Sequence, residues 1–292
     1  MPEKGVIFSA LSGFYYINHQ GSKIECRARG KFRKDGMTPL VGDVVDYSLS
    51  NERKGIIEKI YERKNGFIRP AVANVDTIVF VASGTKPVTD PFLVDRVAVI
   101  AESAGCDFVL CLNKTDLDSA DSLYQIYSNT SYQTIRTSAE TGDGIDALFN
   151  AIRGKRCVFT GNSGVGKSSI LNRILPDASI ETAEISDRLG RGKHTTRHVE
   201  LYDVGKNTFI ADTPGFASFE IQMIGDISKE DLPTLFPEFT TLTSNCRFND
   251  CCHISEPGCA VREALSAGQI EKTRYDSYVR LYDIVSNRKP WD

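Results

Sequence analysis

The 292-residue chain contains no run of eighteen or more apolar residues, and its opening Met1-Pro-Glu-Lys-Gly5 carries no apolar signal core. A bilayer-spanning helix needs about 20 such residues, and a secretory leader needs an apolar stretch behind a basic start. Neither a membrane span nor export is therefore expected, and the chain is placed in the cytoplasm. Strong charge of one sign is also missing: 35 Lys and Arg meet 38 Asp and Glu, a net −3. This excludes a chain that is basic throughout, but it hides a gradient. Residues 1 to 70 hold 13 basic against 8 acidic side chains, residues 71 to 218 hold 14 against 18, and residues 219 to 292 hold 8 against 12. A basic amino-terminal piece on an acidic body points to a polyanion contact at that end. With 41% hydrophobic and 25% charged residues, the composition is that of a globular protein long enough for two or three domains.

The 8 cysteines include no Cys-x-x-Cys pair. Cys26, Cys106, Cys111 and Cys157 lie scattered in apolar stretches and read as buried free thiols. Cys246, Cys251, Cys252 and Cys259 fall within fourteen residues, and in a cytosolic chain such a cluster points to metal before disulfide. The spacing Cys246-x4-Cys251-x-His253-x5-Cys259 offers three thiolates and an imidazole, a full tetrahedral set for one structural Zn²⁺. With no open position, the metal would hold the fold and perform no chemistry. Cys252, next to Cys251, could replace it as ligand.

Residues 1–70 show short strand-like runs broken by glycine and no long helical period, which implies a small all-β barrel or sandwich. The run from Lys23 is basic. Extended through Arg33, it would alternate Arg27, Arg29, Lys31 and Arg33 with Ala28, Gly30 and Phe32, placing four cations on one face. Such a stripe can follow a phosphate backbone, so these four are the candidate RNA-binding residues. Residues 71–218 alternate apolar strands with helical stretches, the pattern of a doubly wound α/β sheet. Residues 219–292 read as helical around the cysteine cluster, with Tyr275, Tyr278, Val279, Tyr282 and Val285 forming one apolar packing stripe.

The middle segment carries a nucleotide signature. Gly161-Asn162-Ser163-Gly164-Val165-Gly166-Lys167-Ser168, followed by Ser169, comes after a strand and opens a helix. In a loop of this type glycines let backbone N–H groups surround phosphates, the lysine reaches the β and γ oxygens, and the serine hydroxyl binds Mg²⁺. Asp212-Thr-Pro-Gly215 ends a later strand, offering a carboxylate to the Mg²⁺ shell and a glycine N–H to the γ-phosphate. Asn113-Lys114-Thr115-Asp116 ends an earlier strand. There Asp116 can accept both the ring N–H and the exocyclic amine of guanine, while the Lys114 stem lies along the base. Adenine has no such donor pair, so GTP is preferred over ATP. Thr137-Ser138-Ala139 can give a backbone N–H to the guanine oxygen. The polar stretch Gly190–Arg197 supplies Thr195 or Thr196 as a further Mg²⁺ ligand. Phe216 stands where many GTPases carry a glutamine that orients the attacking water. His194 is the candidate for that task, with Lys167 stabilising charge.

The guanine-reading motif precedes the phosphate loop, so the GTPase motifs occur in rotated order. Together with Lys193-His-Thr-Thr196, Cys26-Arg-Ala-Arg-Gly-Lys-Phe-Arg33, Gly42-Asp-Val-Val45, Asn249-Asp-Cys-Cys-His253 and Glu256-Pro-Gly-Cys-Ala260, they resemble the circularly permuted GTPases of the RsgA family over nearly the whole chain. The resemblance implies an OB-fold at residues 1–70, a circularly permuted P-loop GTPase at 71–218 and a zinc-binding helical domain at 219–292. It also implies a monomeric GTP phosphohydrolase that binds the 30S subunit and its 16S rRNA, is stimulated by the subunit, and uses a histidine matching His194. In the family pattern Cys251 is the zinc ligand and Cys252 the departure. The runner-up reading is a GTP-gated RNA- or protein-binding module with incidental hydrolysis.

Overall fold

A computed structural model describes residues 2–19, 22–34, 36–68, 70–175, 199–212 and 227–287. Within them the chain divides into two compact units, one of residues 1–78, 152–159 and 174–216, the other of 79–151, 160–173 and 217–292.

The first unit starts with β1 (Glu3–Leu11), β2 (Phe14–His19), β3 (Ser22–Ala28), β4 (Val44–Asn51) and β5 (Lys54–Ile60). Their order β1-β2-β3-β5-β4, with β4 returning to β1, closes a five-stranded barrel. Strands β3 and β5 run parallel and the other neighbours antiparallel. Period-two alternation sends Ile7, Tyr15, Ile17, Ile24, Cys26, Val45, Tyr47 and Ile57 into its core. Between β3 and β4, the Gly42-Asp43 turn needs its glycine: φ is +89°, and an added Cβ would lie 2.2 Å from the Ala73 carbonyl oxygen. Asp43 is fully buried and held by Arg63 at 2.7 and 2.8 Å.

The basic run does not stay extended. Strand β3 stops at Ala28 and Gly30–Lys34 forms a one-turn helix, α1. Pairing with β5 ends at Ala28, and Phe32 is buried under the turn, with Met37 N–H donating to its carbonyl. Arg27, Arg29, Lys31 and Arg33 therefore do not form one alternating strand face. Arg27 lies over the Phe14 ring and Arg29 pairs with Glu58, while Lys31 and Arg33 sit on the helical turn, where residues two apart do not face alike.

After a hairpin of β6 (Gly66–Ile68) and β7 (Ala71–Ala73), the second unit carries most of β8 (Thr77–Ser83), then α2 (Pro91–Ser103), β9 (Asp107–Asn113), α3 (Asp121–Ser128), β10 (Gln133–Arg136) and α4 (Ile145–Ile152). Strand β9 lies between β8 and β10 and is parallel to β10. Every residue of β8 is buried, as a strand covered on both faces requires. Helix α2 is capped by Asp90, which accepts from the Phe92 N–H. Strands β11 (Arg156–Thr160), β12 (Val199–Asp203) and β13 (Phe209–Asp212) belong almost wholly to the first unit, with β11 parallel and β12 antiparallel to β13. Helix α5 (Lys167–Ile174) follows β11, and α6 (Ala260–Ser266) and α7 (Lys272–Ser286) close the chain.

On α7 the buried face is Arg274, Ser277, Tyr278 and Leu281. Of the expected stripe only Tyr278 is fully buried; the face is rotated because a charged residue, Arg274, leads it. Arg274 reaches Asp95 on α2 at 2.6 Å and Glu238 at 2.7 and 3.0 Å, with its guanidinium over the Phe236 ring. Asp95 also accepts from Tyr127 OH at 2.8 Å. Removing one member of such a desolvated set strands the others. Arg274→Ala should lower stability by about 3–5 kcal/mol, read from the urea midpoint; a loss under about 1 kcal/mol would place the triad with weak surface pairs.

Candidate nucleotide site and Cys–His centre

Strand β11 delivers the phosphate loop. Gly161, Gly164 and Gly166 have φ of +132°, +81° and +96°, conformations open to glycine. A Cβ on Gly161 would meet the Val81 carbonyl oxygen at 2.1 Å, and one on Gly166 would meet Asn113 Nδ2 at 2.3 Å. Helix α5 starts at Lys167, so the loop amides and the positive helix end face the same space. Ser168 lies half-buried in the first turn, with Ser169 exposed beside it, and Asn162, Ser163 and Val165 form the loop between. Lys167 Nζ donates to the carbonyls of Gly161 and Asn162, both at 2.6 Å. Burial lowers its pKa to about 8.

Asn113 ends β9 and is 2% exposed. Its Nδ2 donates to the Val165 carbonyl at 2.8 Å, while its Oδ1 accepts from Ala139 N–H at 3.1 Å and Thr137 Oγ1 at 3.3 Å. One amide thus ties together the phosphate loop and both base-reading loops. Lys114, at φ +67°, donates from Nζ to the Lys86 carbonyl at 2.8 Å. Thr115 donates from its hydroxyl to the Thr137 carbonyl, and the Ser138 hydroxyl holds Asp116 Oδ1 at 2.6 Å. Asp116 is exposed, as a carboxylate that must meet a ligand has to be. Of the Thr137-Ser138-Ala139 N–H groups, one of which was expected to meet the guanine oxygen, Thr137 donates to Leu112 O, Ser138 to Asp143 O and Ala139 to Asn113 Oδ1, so a guanine oxygen would share one of them.

One support of this site escaped the sequence reading. Arg173, on the last turn of α5, donates from Nε to the Ala139 carbonyl at 2.8 Å and from its guanidinium to Glu140 O. Nothing in its surroundings in the sequence marks it. His194, Thr195, Thr196 and Gly215 lie outside the described residues, and of Asp212 only its place at the end of β13 is given.

Cys246, Cys251, His253 and Cys259 converge, their ligand atoms all within 4.8 Å of one another. Cys246 Sγ is 3.6 Å and Cys259 Sγ 3.3 Å from His253 Nδ1. Tetrahedral bonds of about 2.3 Å give edges of about 3.8 Å, so the donor set fits a zinc-sized ion. Cys252 lies outside the cluster, its Sγ toward the Asp250 carbonyl. Burial raises the Cys251 thiol to about 12 and Cys259 as well, and lowers His253. Without a cation all three favour neutral forms, so a bound dication would displace thiol protons. The Cys-Cys-His loop is held from outside: Glu256 accepts the N–H groups of Cys252, Ile254 and Ser255, while Tyr275 OH and Tyr278 OH donate to the carbonyls of His253 and Cys252. The two tyrosines, expected to act only in packing, also fix His253 at φ +59°.

Family models for the RsgA N-terminal domain and the RsgA GTPase match residues 4–57 and 60–222. The chain belongs to the RsgA GTPase family. Proteins named small ribosomal subunit biogenesis GTPase RsgA are similar from end to end: that of Geobacillus kaustophilus is 45% identical over 98% of this chain and 99% of its own, that of Bacillus subtilis 42% over 99% of each. Among solved structures, YjeQ from Thermotoga maritima superposes with a TM-score of 0.84 at 35% identity, covering 99% of this chain and all of its own. YloQ, described as a circularly permuted GTPase, gives 0.80 at 35%, covering 99% and 97%. The rotated motif order is thus the family's fold, the five-stranded barrel is its amino-terminal domain, and hydrolysis of GTP is its activity. RsgA-family GTPases, like GTPases in general, work with Mg²⁺.

With Lys167 as the phosphate-binding lysine, its lowered pKa should make nucleotide binding pH-dependent in a defined direction. Below about pH 8 its ammonium is already charged, and phosphate binding needs no extra proton. Above that pH each binding event takes up a proton, so affinity for GDP should fall by about tenfold per pH unit, first seen between pH 8 and 9 in calorimetry. Lys167→Ala should bind weakly with a flat profile over the same range.

Proposed function

We propose that this GTPase binds the small ribosomal subunit late in its maturation, contacts 16S rRNA through its barrel, and hydrolyses GTP to GDP and phosphate when the subunit stimulates it. The observation that carries the partner is the end-to-end likeness to proteins named for small-subunit biogenesis. The basic balance of residues 1–70, with Arg27, Arg29, Lys31 and Arg33 among its cations, supports an RNA contact there. The chain acts as a monomer in the cytoplasm; no helix among the described residues is long and apolar enough to cross a membrane.

In the reaction, water attacks the γ-phosphorus, the bond to the β–γ bridging oxygen breaks, and GDP leaves with the electron pair. Lys167 exchanges its loop carbonyls for β and γ oxygens and, with the loop amides and the Gly215 N–H, stabilises the charge that develops. Asp116 selects guanine, with Lys114, Ser138 and Ala139 around the base. Ser168, Asp212 and Thr195 or Thr196 would hold Mg²⁺, which would supply Lewis-acid stabilisation of phosphate charge. His194 orients the attacking water or takes its proton.

Purified 30S subunits should raise the hydrolysis rate at least about tenfold, and His194→Ala should lose that stimulation while still binding GTP. Equal rates with and without subunits would remove the ribosomal reading, and unchanged turnover in His194→Ala would remove the histidine.

One structural Zn²⁺ sits on Cys246, Cys251, His253 and Cys259. The protein as purified should contain close to one zinc per chain, and a strong chelator should lower its melting temperature by several degrees. Cys259→Ser should lose the metal, whereas Cys252→Ser should keep it.

A further inference from the structure

Strand β1 divides one of its edges between two partners. Its first half, Glu3–Val6, pairs with β4 and closes the barrel. A register shift between Ile7 and Ser9 then turns the strand, and Ser9 and Ala10 pair antiparallel with Glu200 and Val199 of β12. Bulges of this kind re-aim a strand where one pairing must end and another begin. At the bulge, the Phe8 ring packs edge-on against Phe209 of β13 at 5.6 Å. Lys23 of β3 adds a tie to Glu200 at 3.5 Å. The barrel and β12 are thus neighbouring strands of one continuous ladder, with no tether between them.

The register places this seam close to the reaction. Glu200 lies opposite Ser9 on one side and Asp212 on the other. Strands stand about 4.8 Å apart, so the barrel is about 10 Å from the backbone of the residue assigned to the Mg²⁺ shell. In sequence, β12 begins directly after Thr195-Thr-Arg-His198. The base-reading residues Asn113, Asp116 and Ser138 and the phosphate loop, residues 161–167, belong to the other unit, so among the described nucleotide-site residues Asp212 alone shares the barrel's unit.

We infer that a partner seated on the barrel accelerates GTP hydrolysis through the β1–β12 seam, acting on Asp212 at the end of β13 and leaving guanine recognition unchanged. Phe8, Lys23 and Glu200 are positioning residues for this coupling, and the inference rests on the reading of the protein as a subunit-stimulated GTPase. Ladder hydrogen bonds are short and directional, so a shift of β1 cannot be absorbed between it and Asp212 as it could be in a flexible linker.

Phe8→Ala combined with Lys23→Ala removes both side-chain ties and leaves the barrel's own pairings. In this variant 30S-stimulated kcat should fall by about five- to tenfold, with unstimulated hydrolysis, GDP affinity and 30S affinity kept within about twofold. Restoring bulk with Phe8→Leu alongside Lys23 should recover most of the stimulation. As a second measurement, Ala10→Cys with Val199→Cys can join directly opposed residues by a disulfide; stimulation should survive oxidation, with the wild type oxidised in parallel. Full stimulation of the double alanine variant, or loss of stimulation on oxidation that reductant reverses, would overturn the inference. A wild type that 30S does not stimulate sinks the functional reading itself, which separates the two failures.

Discussion

The nucleotide site depends on the buried amide of Asn113. Its donor and acceptor ends are both used, tying its own loop to two others far apart in sequence: Val165 on the phosphate loop, and Thr137 and Ala139 on the base-reading turn. A carboxylate in its place would face the Val165 carbonyl without a proton to give, and an apolar residue would leave buried N–H and C=O groups unmet. Gly166 follows from the same contact, because any Cβ there would collide with the amide. The loops that read phosphate and base are therefore set relative to each other before a ligand arrives, so ordering them does not reduce binding.

Two other constraints divide the molecule's tasks. In one unit, the Gly42 carbonyl accepts from Asn74 and Arg156, and β1 pairs with β12, so the barrel shares a ladder with β12 and β13. In the other, Arg274 binds the carboxyl-terminal helix to α2 through desolvated charges. That helix in turn holds the Cys–His loop by two tyrosine hydroxyls. The rotated gene order joins Asp212-Thr-Pro-Gly215 by chain to this same terminal module. The module is thus attached to the GTPase both covalently and by a buried ion triad.

Much of this was legible because the chemistry constrains residues at fixed spacing. Strands β9, β11 and β13 lie where apolar runs end in motif residues, within the strand and helix alternation expected for residues 71–218. The Cys–His set also came from spacing, with Cys251 and Cys252 left as alternatives for one ligand. The basic run failed as a strand because Phe32 found burial in a turn, a gain that local alternation does not encode. The terminal helix was read one face off because sequence hydrophobicity counts Arg274 as outward, whereas two carboxylates brought from elsewhere make its burial possible.

The sequence by itself determined the glycine loop, the guanine-reading aspartate, the rotated order and the thiol and imidazole donors, since each is a local requirement of phosphate, base or metal chemistry. Only the tertiary structure decided that Asn113 braces three loops, that Arg173 and Glu256 hold the turns beside the ligands, that Cys251 and not Cys252 faces the cluster, and that β1 pairs with β12. Those are contacts between residues distant in sequence, and nothing in a single stretch of chain records which partner will satisfy a buried polar group.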